Sequence, residues 1–307
     1  MEIRDFPTVT PRIEWPTIAL AATIYAIWFF STFFWAHLPF WTLALVGAWT
    51  TAWHMSLQHE IIHGHPTRKR WINNLIGCWP LALWLPFENY RHSHLAHHND
   101  ERLTDPLDDP ESYYWRQEDW DALGPFGRGI VRVQAPLIGR LLIGPFWACW
   151  RLWKTEIGEI AEGDRKAMRN AAIHLVEAAV VLIWVLGVCR MPLATYLFCF
   201  VYAGTSLALV RSFCEHRAES VVERRTAIVE RSWILGPLFL FNNLHVAHHM
   251  RHTMPWYALP RWYKVNRAAL IERNGGLVYR SYFDVIRRYL LRPHHQHLHP
   301  RVQADAK

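Results

Sequence analysis

The sequence predicts an all-α, multi-pass membrane protein in which two transmembrane helical hairpins, four spans in all, carry a cytosolic helical cap. Three observations lead there. Residues 15–58 contain no Asp, Glu, Lys or Arg, and 44 uncharged residues rising about 1.5 Å each are enough for two helical passes. A second pair of apolar runs, 171–188 and 193–210, is divided by Arg190-Met191-Pro192. Between and after these hairpins, histidines recur in boxes: His59-Glu-Ile-Ile-His63, His94-Leu-Ala-His97-His98 and His245-Val-Ala-His248-His249.

Taken in order, span 1 is expected over 17–36 and span 2 over 40–57, turned at His37-Leu38-Pro39. The second helix should run on through His65 and stop at Pro66, because proline cannot extend the hydrogen-bond ladder. His54 would then pack within the span. The run 71–87 is uncharged but short and is broken by Pro80 and Pro86, which suits an interfacial or re-entrant segment. Residues 99–121, rich in Asp and Pro, read as an ordered aqueous loop. The stretch 130–153 places Arg132, Arg140 and Arg151 among Trp, Leu and Ile, the pattern of an amphipathic helix on the membrane surface. A charged solvent segment, 156–169, leads to the second hairpin. Beyond it, 233–244 is a short apolar approach to the third box, and His294-His295-Gln-His297-Leu-His299 reads as a solvated tail. The stretch before span 1 lacks a short apolar h-region and an Ala-x-Ala site, so no removable signal peptide is expected. The chain reads as one domain, 1–307, with 58–169 and 211–307 forming the cap.

Composition narrows the partners. The net charge is +7, but the basic residues cluster between the spans, the positive-inside pattern, so anionic lipid and not nucleic acid is the expected surface. The 18 Trp and 11 Tyr fit rings anchored at headgroup depth. Five cysteines without paired spacing read as small buried hydrophobes, which excludes a disulfide framework and a cysteine zinc site. Four spans in two hairpins put both termini and every box on one face, read as the cytosolic side of a bacterial inner membrane.

Positions i, i+3 and i+4 of a helix share a face, so each triplet can aim three imidazoles at one point. His59-Glu60-Ile61-Ile62-His63 is also a literal H-E-x-x-H, the zinc protease signature with Glu as base, but an intramembrane protease leaves the other boxes unexplained. A metal transporter would carry polar residues through its spans, and these spans are nearly free of them.

With three boxes in this order, two hairpins, and an additional histidine in Glu215-His216-Arg217 ahead of the last box, the sequence resembles the membrane fatty acid desaturase superfamily over roughly residues 17–252. The resemblance implies two iron ions held by His59, His63, His94, His97, His98, His216, His245, His248 and His249. His65, His92 and His252 stand near enough in sequence to be alternative ligands. Glu60, Asp100, Glu215, Asn242 and Asn243 are candidates to accept the second ring N–H of a ligand, as such partners usually do. The implied reaction uses O2 to desaturate the acyl chain of a lipid or fatty acid, with hydroxylation as the alternative outcome. Electrons would come from a separate ferredoxin or cytochrome-type donor, because the chain has no Gly-x-Gly-x-x-Gly fingerprint and no evident haem or iron–sulfur ligand set.

Overall fold

The computed structural model describes residues 3, 4 and 11–300, and of Asp100 the backbone alone. The helices are α1 (Trp15–Phe33), α2 (Phe40–Ile62), α3 (Arg70–Gly77), α4 (Phe87–His97), α5 (Gln117–Ala122), α6 (Pro125–Gln134), α7 (Leu137–Ala161) and α8 (Arg165–Leu182). They continue with α9 (Leu193–Tyr196), α10 (Ala203–Ser212), α11 (Leu235–Leu238), α12 (His245–Met250), α13 (Leu259–Arg273) and α14 (Tyr282–Tyr289). Wide π turns at Ile183–Val188 and Leu197–Tyr202 extend α8 and join α9 to α10. Two short strands, β1 (Ile228–Val229) and β2 (Val278–Tyr279), pair in parallel, Ile228 with Val278 and Val229 with Tyr279.

Among the described residues, three helical stretches are long and apolar enough to cross a membrane: Trp15–Phe33, Arg165–Val188 and Leu193–Ser212. The outward side of α8 shows why, with Ile173, Leu175, Val176, Val180 and Ile183 all exposed, an apolar surface that only lipid or a partner would cover. α2 is the exception to the expected four. Its 23 residues suffice in length, but uncharged is not the same as apolar, and its Thr, Trp, His and Gln content keeps it out of that group.

The chain divides into two compact units. The hairpin unit comprises Pro11–His92 and Gly144–Ala208. Its core gathers Trp28, Leu43, Leu81, Val185, Tyr196 and Phe200. Their polar atoms are satisfied in series, Trp28 Nε1 donating to the Tyr196 hydroxyl at 3.1 Å and that hydroxyl to Leu81 O at 2.8 Å, as buried polar groups require. Close approach needs a glycine: a Cβ on Gly47 would sit 2.5 Å from Cys199 O. His54 packs inside α2 as expected, its ring edge-on to Tyr25.

The histidine unit comprises Ser93–Ile143 and Leu209–Lys307 together with Met1–Thr10. Its described core is built on β1, α12 and α13, from Ile228, Leu244, Val246, Leu259, Trp262 and Leu270.

Three sequence expectations are corrected. α2 ends at Ile62, before Pro66, because Gly64 turns with φ of 99° and His63 caps the helix. The expected surface helix over 130–153 is two helices, broken at Pro136, the second running on to Ala161. The segment 156–169 is mostly exposed, as expected of a charged solvent segment, and largely helical: only Glu156 and Ala167 are buried in it, Glu156 accepting from Asn89, and Asp164 caps α8 by accepting from Lys166 N and Ala167 N, a preferred N-cap. Finally, the histidine tail is not solvated, since His294 and His299 are 8% and 3% exposed.

Candidate metal centre

Box three is built directly by its spacing, since α12 carries His245, His248 and His249 within six residues and buries all three. α4 carries His94 and His97, and His98 follows its last turn. His216 comes from an antiparallel bridge with Thr226, fixed by Arg217 N to Arg225 O at 3.0 Å and Ala227 N to Glu215 O at 2.8 Å. All seven belong to the histidine unit.

They fall into two sets. His97, His216, His245 and His249 bring four ring nitrogens within 4.8 Å of one another. His216 Nε2 lies 2.9 Å from His97 Nε2 and 2.8 Å from His245 Nε2, and His249 Nε2 lies 3.2 Å from His245 Nε2. The second set is His94, His98 and His248, with His98 Nε2 at 3.0 Å from both His94 Nε2 and His248 Nε2.

What stands behind the rings decides what these contacts are. His97 Nδ1 faces Asp109 Oδ1 at 2.8 Å and His94 Nδ1 faces Glu111 Oε1 at 3.1 Å. His245 Nδ1 faces Asn242 Oδ1 at 3.1 Å, with Glu215 Oε1 at 3.4 Å. A ring whose Nδ1–H is donated to oxygen presents a lone pair at Nε2. His97 and His245 both turn Nε2 toward His216, so a cation among these nitrogens would find the rings already oriented, and the carboxylate or amide oxygen behind His94, His97 and His245 is the usual support of a metal-bound histidine. The seven residues present fit metal binding.

Electrostatics agrees for most of the set. Burial, followed by neighbouring imidazoles, drives His216 and His245 well below the ordinary histidine value; burial also lowers His94. These rings are thus held neutral, the form that binds metal. His97 goes the other way: burial opposes its charge, yet Glu111 and Asp109 raise it to about 9. A bound cation would displace that proton. Burial pushes Glu215 up to about 7 against the pull of Arg211.

The remaining candidates are placed as follows. In the hairpin unit, the His59 and His63 rings stand side by side at 4.9 Å between centroids at the end of α2. His65 is engaged elsewhere, with Nδ1 at 2.6 Å from Glu14 and Nε2 at 3.8 Å from Glu60. The shorter separation is that of a hydrogen bond, tighter than two ligands of one ion. His92 is exposed on α4. His252 is exposed as well, its ring 5.2 Å from that of His98. Asn243 donates to Val229 O at 2.7 Å and so braces the entry to α12. The side chain of Asp100 lies outside the described residues. Sequence reasoning missed Asp109 and Glu111; their signal was the acidic loop after box two, whose partners no spacing rule identifies.

A family model described as fatty acid desaturase matches residues 33–283. The chain is also similar to an sn-1 oleoyl-lipid 12-desaturase from Synechocystis sp., at 24% identity over 277 residues that cover 81% of this chain and 74% of the relative.

Proposed function

Since the chain belongs to the fatty acid desaturase family, we propose that it is a membrane diiron oxidoreductase that uses O2 to desaturate the acyl chain of a lipid or fatty acid. The observation that carries this reading is the pair of imidazole sets whose outer nitrogens are held by Asp109, Glu111 and Asn242. In this reading His97, His216, His245 and His249 hold one iron. His94, His98 and His248 hold the other, and His59 and His63 belong to the diiron ligand set, as the family's first box implies. The irons would supply what no side chain can, activation of O2 and removal of hydrogen from an unactivated C–H bond.

The balance for desaturation is one acyl –CH2–CH2– unit, one O2, two electrons and two protons, giving one –CH=CH– and two waters. The chain's own residues hold, orient and neutralise. Asp109 and Glu111 fix two rings and set their protons on Nδ1, and the burial of His216 and His245 keeps both rings unprotonated. The similarity to the Synechocystis oleoyl-lipid desaturase and the exposed apolar surface of α8 support a lipid substrate. We further infer four spans, α2 making the fourth, with both termini and the histidines on the cytosolic side of a bacterial inner membrane. A ferredoxin or cytochrome-type donor supplies the two electrons, and a basic cytosolic face suits an acidic one.

Mass spectrometry of lipids from a host expressing the protein tests the reaction. A product two mass units lighter supports desaturation, and one sixteen heavier would replace it with hydroxylation. Lipids unchanged beside active, iron-loaded protein would remove the acyl-lipid assignment. Metal content tests the centre: two irons per chain support it, whereas one zinc would favour the protease reading of His59-Glu60-Ile61-Ile62-His63.

A further inference from the structure

The segment 293–300 closes back on the histidine unit. Its main chain grips Trp115 twice: Trp115 N donates to His297 O at 2.9 Å, and His299 N donates to Trp115 O at 3.1 Å. The side chains add to this. The His297 ring stacks on Trp120 at 5.1 Å with 12° between planes, and the His295 ring lies 4.7 Å from Tyr114. His299 Nε2 is 3.4 Å from Thr104 Oγ1. At the other end of the segment His294 Nε2 lies 2.7 Å from the Tyr279 hydroxyl, a hydrogen bond that ties it to β2.

Thr104, Tyr114, Trp115 and Trp120, which the segment contacts here, all lie between residues 104 and 120, and that stretch contains Asp109 and Glu111. Thr104 links the two. Its N–H donates to Asp109 Oδ2 at 2.8 Å, and its carbonyl accepts from Ser112 Oγ at 2.8 Å. A continuous line of contacts therefore runs from His299 through Thr104 and Asp109 to His97. Residues 98–116 have no helix beyond the single turn Asp100–Arg102, and a loop with so little regular structure opens easily unless something pins it. A carboxylate can fix an imidazole only as firmly as its own backbone is held.

We propose that 293–300 is a strap, with His297 and His299 as positioning residues that hold the Asp109–Glu111 loop against the backs of His97 and His94 and so set how firmly metal is retained. Its metal-retention arm rests on the reading of the imidazole sets as iron sites; its loop arm does not. The composition would not have shown this, since four histidines near a terminus look like a solvated tail.

The test uses full-length protein and the variants His299→Ala and His299→Gln, whose amide can donate or accept as the ring nitrogen does. Amide exchange of residues 104–116 is followed in metal-free protein, and iron release to a chelator in loaded protein. The strap predicts that His299→Ala exchanges the loop faster while α8 is unchanged, and releases iron at least about tenfold faster, within the range for losing such supports. His299→Gln should restore most of both. Wild-type exchange at 104–116 in His299→Ala overturns the proposal whatever metal is bound. Faster exchange without faster iron release overturns the retention claim. Wild-type protein that takes up no iron would remove the diiron reading, and loop exchange would still decide the strap.

Discussion

Asp109 stands behind His97 with Oδ1 2.8 Å from Nδ1, while its Oδ2 accepts from Thr104 N at 2.8 Å. One carboxylate thus fixes both the ring and the loop it comes from. Asp109→Asn keeps the shape but removes the charge that favours a proton on Nδ1. The expected outcome is iron affinity lowered about 10- to 100-fold with the helical content retained. Competition with a coloured chelator, beside circular dichroism, measures both, and unchanged affinity would show that Asp109 merely caps its loop.

The tetrad and the triad are separable. His245 contributes to His97, His216 and His249 alone, so His245→Ala should leave the triad's nitrogens in place. Iron content should fall from about two per chain toward one, and lipid product should vanish, because half of such a centre cannot complete a two-electron oxidation. Two irons in that variant would reassign His245 to structure.

Exposure separates ligands from their sequence neighbours. His92 is exposed on α4, whereas His94 is 2% exposed two residues later. His92→Ala should retain product formation within about twofold of wild type, and His94→Ala should abolish it, because loss of a ligand is felt at the metal while an exposed ring has no buried partner to orphan. The lipid assay reads both.

Much of this was legible in the sequence because helical spacing is a strong constraint. His245, His248 and His249 converge because one short helix carries them, and Pro39 and Pro192 mark hairpin turns for the reason proline always does. The failures are equally physical. Gly64 ended α2 before Pro66, since a positive φ stops a helix as effectively as a missing donor. α2 is less apolar than α1 through its Thr, Gln and His, so its lack of charge alone leaves the fourth span to be inferred. Asp109, Glu111 and the buried His299 were invisible because their partners lie 12, 17 and 195 residues away, and no local period encodes such distances.

Helix packing in the hairpin unit leaves little tolerance at Gly47. A Cβ there would meet Cys199 O at 2.5 Å and Phe200 Cδ2 at 3.0 Å. A backbone carbonyl cannot swing aside as a side chain can. Gly47→Ala should therefore cost about 1–3 kcal/mol, the usual range for overpacking, despite alanine's better helix propensity. Thermal unfolding in detergent would register the loss, and a stabilised variant would mean that α2 and the following π turn can move apart.

Acid should loosen the strap before it touches the apolar core. Burial, reinforced by Arg217 and Arg140, lowers His294 from 6.5 to about 4. It is therefore neutral when folded and protonates more readily when unfolded. The unfolded chain binds the extra proton between those two values, so stability is complete above about pH 6.5 and is lost progressively as pH falls toward 4. Amide exchange of 293–300 in metal-free protein should accelerate between pH 6.5 and 4, after correction for intrinsic rates. His294→Gln, which cannot titrate, should weaken that dependence without removing it, because burial also lowers His295 to about 3 and lowers His297. A strap equally protected across the interval in the wild type would mean that folded His294 takes up a proton as readily as the unfolded chain does.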